Sequence, residues 1–276
     1  MVKARKKRWS YYQRCLRAAF DVLEDRRLLS ASTINAWNEE WSFALSKSVL
    51  VAGSGNSSGS PAVLPAASAA SAAFNPSVSQ IAAVESPTST DAKPQSKTWT
   101  HDGRWFSVFA DTSGTHVWRL DGLAWTKVLT LSNTNFKADI KSIGDVTHVL
   151  LFKATGTKLS SIQYKPATAG WELWTQRPSL TSLSLSGGAE TATVDIDSTG
   201  RMWAVSDANS TLEVRYSDAP YRNFSPPITI ATGLSNDDIA GVIALPGGTI
   251  GVFWSNQITK RFGFKTHHDS ASPDVW

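Results

Sequence analysis

The sequence predicts an all-β protein assembled from recurring antiparallel units of about four strands, and three observations carry that prediction. Twelve Trp against two Met in 276 residues suits aromatic-rich strands better than a helical bundle. Short apolar runs bounded by Asp, Asn, Ser and Gly recur through residues 98–276. One order of elements (apolar strand, polar turn, alternating strand, loop, aromatic residue) comes back four times at similar distances.

Residues 191–224 hold the clearest copy. Residues 192–197 read as a strand, Asp197-Ser198-Thr199-Gly200 as a turn, and 202–206 as an apolar second strand. Residues 212–216 follow, with Leu212, Val214 and Tyr216 alternating with Glu213 and Arg215, the mark of a strand with one buried and one wet face. Pro226 and Pro227 delay a fourth strand to 228–230. Four strands in meander order make a unit the size of one propeller blade.

The other copies align with it. The first has strands at 105–110 and 115–120 and ends at Trp125; the second has 149–153 and 159–164 and ends at Trp171. The fourth has 250–254 and 261–266 and stops at Trp276. A leading strand precedes each hairpin, at 98–100, 138–143, 192–197 and 239–244. Phe106, Leu150, Trp203 and Gly251 are separated by 44, 53 and 48 residues, near the roughly 40–50 of common propeller repeats. The expected fold is therefore a β-propeller-like array of about four antiparallel blades over 98–276. It is truncated or open, because the fourth unit lacks its last strand. Trp105, Trp125, Phe152, Trp171, Asp197, Gly200, Trp203, Trp254 and Trp276 are its structural positions, with Trp105, Phe152, Trp203 and Trp254 expected in equivalent places. A β-sandwich with similar hairpins is the alternative. Residues 41–51 are the one obvious segment to complete the fourth sheet, whose bare edge would otherwise invite pairing.

Residues 1–51 differ in kind. Lys3, Arg5, Lys6, Lys7 and Arg8 open the chain, and a helical-looking run spans 11–29. Leu23-Glu24-Asp25-Arg26-Arg27-Leu28-Leu29-Ser30-Ala31 resembles the LEPRRLLSA-type motif near the N-terminus of predicted exported proteins of planctomycete-like bacteria. It matches eight of nine positions, Asp25 replacing the proline. The resemblance implies an extracellular or cell-surface destination, with Leu23, Glu24, Arg26, Arg27, Leu28, Leu29 and Ser30 as sorting residues, and implies no enzyme. The segment is a poor secretory signal peptide, lacking an uninterrupted apolar stretch of roughly 7–15 residues. Nothing in the sequence approaches the roughly 20 apolar residues of a membrane-spanning helix.

Residues 52–97 are rich in Ser, Ala, Gly and Pro, with Phe74 the one aromatic among 52–96, and read as a disordered tether. Charge supports this division. Nine of the 27 Lys and Arg and three of the 23 Asp and Glu lie in residues 1–27, which leaves 18 basic against 20 acidic residues. The β region is thus close to neutral, and no nucleic-acid partner is expected of it. The single cysteine, Cys15, excludes an intrachain disulfide and a cysteine metal cluster.

Few residues point to chemistry. His267-His268-Asp269 is the densest set of metal-ligand types, but adjacent His side chains at a strand end diverge, and a solvated loop is expected. His101-Asp102 reads as a turn before Trp105. Asp195 and Asp197 have the makings of a glycosidase carboxylate pair, yet their spacing beside Gly200 favours capping a turn. Asp197, Gly200 and Trp203 resemble the D-x-x-G-x-x-W signature of several propeller families. The full Asp-box of sialidase-like propellers has Ser or Thr where Asp195 stands, and such boxes are structural turns. A sialidase-like site needs three arginines, a Tyr and an acid; Arg104, Arg119, Arg177, Arg201, Arg215, Arg222 and Arg261 with Tyr164, Tyr216 and Tyr221 supply the types without a linking motif. No phosphate loop, G-x-S-x-G elbow or H-E-x-x-H helix occurs. The recurrent Trp residues read as wedges between blades before they read as sugar platforms. The expectation is an exported recognition or structural module with no catalytic, cofactor or metal residues and a protein or glycan partner. A glycan-binding or glycan-hydrolysing sialidase-like propeller is the alternative.

Overall fold

The computed structural model describes residues 79–87 and 96–276. The helix and sorting motif expected before residue 32, the strand candidate at 41–51 and most of the tether lie outside the described residues. Ser96 and Lys97, which composition groups with the tether, are hydrogen-bonded into the sheets: Ile140 N donates to Ser96 O at 2.7 Å and Val108 N to Lys97 O at 2.9 Å.

Among the described residues, apart from one 3₁₀ turn at Pro166–Thr168, the regular structure is four antiparallel sheets. The first holds β1 (Thr98–His101), β2 (Arg104–Asp111), β3 (Gly114–Asp121) and β4 (Ala124–Ser132). The second holds β5 (Lys137–Ile143), β6 (Val146–Phe152), β7 (Lys158–Lys165), β8 (Gly170–Leu173) and the short β9 (Thr181–Ser182). The third holds β10 (Ala192–Ile196), β11 (Met202–Ala208), β12 (Thr211–Ser217) and β13 (Ile228–Thr232), and the fourth β14 (Ala240–Leu245), β15 (Thr249–Asn256) and β16 (Arg261–His268). Each meander follows chain order. β9 pairs with Lys158 and Leu159 of β7, beyond the stretch of β7 that β8 covers. The excursion out to β9 accounts for the longest of the three sequence steps, Leu150 to Trp203.

Three cores separate the sheets, one between each consecutive pair. Phe106 and Val108 meet Val149 and Leu151; Leu150 and Phe152 meet Met202 and Ala204; Trp203 and Val205 meet Ile250 and Val252. Side chains alternate across a strand, so β6 and β11 must be buried on both faces to fill a core on each side. Val149 to Phe152 of β6 and Met202 to Val205 of β11 are continuous apolar runs for that reason, while Thr147, His148, Ser206 and Asp207 on the same strands are buried polar residues. Each outer sheet leaves large side chains of its outward face exposed: on β2 Trp105 is 49% exposed, and on β15 Phe253 is 48% exposed.

The first strands of neighbouring sheets are tied by carboxylates. Asp139 on β5 accepts from Ser96 N (2.7 Å) and from Val194 N of β10 (2.9 Å), and Asp195 on β10 accepts from Ala244 N of β14 (2.8 Å). Both are buried, and each satisfies backbone donors that pairing within its own sheet leaves open.

One expected equivalence fails. Phe152 and Trp203 face the following sheet, whereas Trp254 faces the preceding one and Trp105 points away from the core. The facewise equivalents are Phe106, Leu150, Trp203 and Gly251, because a shift of one residue moves a side chain to the opposite face.

Candidate functional site

The sequence candidates divide into residues spent on structure and residues with capacity left. Asp197 belongs to the first group. Its Oδ1 accepts from Thr199 N (2.9 Å), Thr199 Oγ1 (2.7 Å) and Arg201 N (3.0 Å), and its Oδ2 from Trp203 Nε1 (2.8 Å). Gly200 holds the turn at φ +88°, a region its missing Cβ makes accessible. Asp195 does not cap this turn. Its other oxygen pairs with Lys141 Nζ at 2.5 Å and accepts from Ile196 N at 2.7 Å, so the two carboxylates work on different elements and form no acid and base couple.

The solvated loop expected at 267–269 is corrected as well. β16 runs through His268, and His267 is buried with its ring 4.7 Å from Trp203 and 5.3 Å from Trp276, Nδ1 hydrogen-bonded to Val275 O. Asp269 accepts from Ser198 N (3.0 Å) and Ser198 Oγ (2.5 Å). His268 points outward and bonds Ser270. Among the described residues, no group of three His, Cys, Asp or Glu is arranged to hold a metal.

Trp171 and Trp276 pack between sheets. Trp171 stands edge-on to Phe106 (5.5 Å, 88°) beside Tyr164, and Trp276 edge-on to Trp203 (5.3 Å, 84°) beside His267. Trp171 with Tyr164 on the second sheet, and Trp276 with His267 after the fourth, thus each press a Trp and a second ring onto the preceding sheet. Trp125 lies edge-on to Phe109, and the Trp254 ring covers Gly263.

The arginines are dispersed. Arg104 pairs with Asp102, Arg119 with Asp121 and Arg201 with Asp218, while Arg222 donates to Gln176 O. Arg261 lies exposed on β16. Arg177 is buried, donating to Pro220 O, Leu159 O, Ser179 O and Ser161 Oγ, and burial, with Arg222 nearby, lowers its pKa to about 10. Tyr164 and Tyr221 donate their hydroxyls to Asp102 and to Gly200 O, and Tyr216 lies under the Arg201 guanidinium.

Two networks resemble proton relays, a signal that residue spacing did not give. On the first sheet His116 Nδ1 is bonded to Thr130 Oγ1 (3.0 Å) and Nε2 to Asp111 Oδ1 (3.0 Å). Lys127 occupies the other Asp111 oxygen at 2.7 Å and, with Ser113, holds that carboxyl well below the usual range. Burial, followed by Lys127, lowers the His116 pKa, and the carboxylate it meets is already paired with a lysine. In the second, His148 Nδ1 meets Ser161 Oγ at 2.7 Å, but both residues are buried and Arg177 donates to the same hydroxyl.

Several buried side chains keep an unpartnered polar atom, His267 Nε2 and Asp269 Oδ1 among them, and Arg215 is the one of these that lines a cleft. Alternation on β12 was expected to place Glu213 and Arg215 on a wet face; both are buried, because residues after β9 cross over that face. Ser186 Oγ donates to Glu213 Oε2 (2.6 Å), and Arg215 Nη2 donates to Glu213 Oε2 (3.0 Å) and Ser186 Oγ (3.1 Å). Arg215 Nη1 is buried without a hydrogen-bond partner. The side chain lines a cleft of about 320 Å³ walled by Ser182, Ser184, Asn223, Phe224 and Ser225. A guanidinium edge with unfilled donors is suited to a carboxylate or another oxyanion, and hydroxyls around it extend the hydrogen bonding.

No protein-family model and no curated protein matches the chain. Among solved structures, a PL25 ulvan lyase, described as a new family of polysaccharide lyase and bound to -[GlcA(1-4)Rha3S]-, is similar at a TM-score of 0.41 and 9% identity. The match covers 63% of this chain and 52% of that one, so the chain spans about half the length of that structure.

Proposed function

We propose that this protein is an exported, β-propeller-like recognition module without catalysis, and that the Arg215 cleft contacts its ligand. Four meander sheets stacked in chain order, with the first strands of the last three tied by Asp139 and Asp195, support an arrangement of successive blades. The observation that carries the binding role is the orphaned Arg215 Nη1 at a cleft lined by three serines and an asparagine. Beside it the lining offers Leu183, Phe224, Pro226 and Pro227 and no carboxylate, imidazole or phenol, so it is equipped to pair and hydrogen-bond rather than to move protons. Export rests on the resemblance of residues 23–31 to a sorting motif.

Of protein and glycan partners, the cleft favours a glycan bearing an acidic group. Its volume is at the lower end of the roughly 300–1,000 Å³ of small-molecule sites, and an aromatic ring beside hydroxyl and guanidinium donors matches a sugar face and its substituents. Titration calorimetry of the full chain against uronic-acid, sulfated and neutral oligosaccharides tests this. Binding of an acidic set, weakened about tenfold or more by Arg215→Gln with the melting transition retained, is expected. Release of shortened or unsaturated products would overturn the non-catalytic reading, and equal affinity for neutral sugars would overturn the role of Arg215.

A further inference from the structure

We infer that Glu213 sets the ligand specificity of the Arg215 cleft, by offsetting the guanidinium charge from outside the cleft; this rests on the reading of that cleft as the ligand site. The two residues stand at i and i+2 on β12 and share a face. Arg215 Nη2 lies 3.0 Å from Glu213 Oε2, and the side chains are 3% and 11% exposed. Ser186 Oγ donates to the same carboxylate oxygen at 2.6 Å and accepts from Arg215 Nη2 at 3.1 Å, so three hydrogen bonds close a ring that fixes the pair.

The place of the pair beside the cleft decides what it does. Arg215 is the one charged residue lining the cleft, and neither Glu213 nor Ser186 lines it. An oxyanion set against the guanidinium is therefore attracted by the charge it touches and repelled by the carboxylate bonded to that charge. Burial leaves this repulsion poorly screened. The cleft consequently attracts negative charge less than a lone arginine would, and hydrogen-bond directions take a larger part in choosing the ligand. A residue that merely held Arg215 in place would act alike on acidic and neutral ligands, whereas an offsetting charge acts on acidic ones alone.

Titration calorimetry of the full chain with a uronic-acid oligosaccharide and a neutral one of equal length tests the inference. Glu213→Gln keeps the size and an acceptor oxygen of the side chain and removes its charge. It is expected to raise affinity for the acidic sugar about tenfold and to change the neutral sugar less than about twofold. A gain confined to the acidic sugar is something that neither a structural role nor a misfolded variant produces. Because Glu213→Gln leaves a buried arginine unpaired, a second arm combines it with Arg215→Gln, which removes both charges. That double variant is expected to bind the acidic sugar more tightly than Arg215→Gln alone, which keeps the carboxylate. Acidic affinity that does not rise on removing Glu213, in a folded variant of either background, overturns the inference; if Arg215→Gln still weakens binding, the Arg215 reading stands. An Arg215→Gln variant that binds as the parent does, or a parent that binds neither sugar, overturns both.

Discussion

His148 shows how burial sets the behaviour of single residues. Burial, with the Arg177 charge beside it, lowers its pKa to about 3, so the ring is neutral in the native state over the ordinary pH range. The unfolded chain binds that proton near the ordinary histidine value, so the native state keeps this contribution above about pH 6.5 and loses it as pH falls toward 3. Denaturant titrations at pH 6.5 and 5 should differ by up to about 2 kcal/mol from this group, and His148→Asn should flatten that dependence. Asp139 makes a second case. Asp139→Ala strands the buried Val194 N–H and is expected to cost about 1–3 kcal/mol, read as a lowered denaturation midpoint. Asp197 was legible in the sequence because all its partners lie within six residues. Asp195 was not, because the amide it holds is 49 residues away.

At the scale of elements, alternation located β12 but misjudged its environment. Period-2 patterning separates two faces; it does not say whether a later segment covers the polar one. Glu213 and Arg215 are buried by chain that follows β9, a two-residue strand too short to leave a pattern. The β15 and β16 pair depends on a contact equally hidden from sequence. A Cβ on Gly263 would sit 2.0 Å from Trp254 Cε2, so the indole lies flat on bare backbone. Gly263→Ala should displace that ring and destabilise by about 1–3 kcal/mol, with a red shift in tryptophan emission as the check.

At the scale of the whole molecule, the described residues form three cores in series, and position in the stack sets what a side chain contributes. Leu150 fills the core between the second and third sheets with no exposed surface; Leu150→Ala is expected to cost about 2–5 kcal/mol. Phe262→Ser, on the uncovered outer face, should change monomer stability by less than about 0.5 kcal/mol, and chemical denaturation of both variants tests the contrast. The sequence by itself determined the all-β class, the four meanders and their turns, because strand periodicity and turn chemistry are properties of neighbouring residues. Tertiary structure alone decided which face of each strand is covered, that Asp139 and Asp195 tie separate sheets, that His267 and Asp269 are interior, and that Arg215 is left with an unfilled edge. Those outcomes depend on contacts between residues tens of positions apart, where spacing along the chain carries no information about proximity.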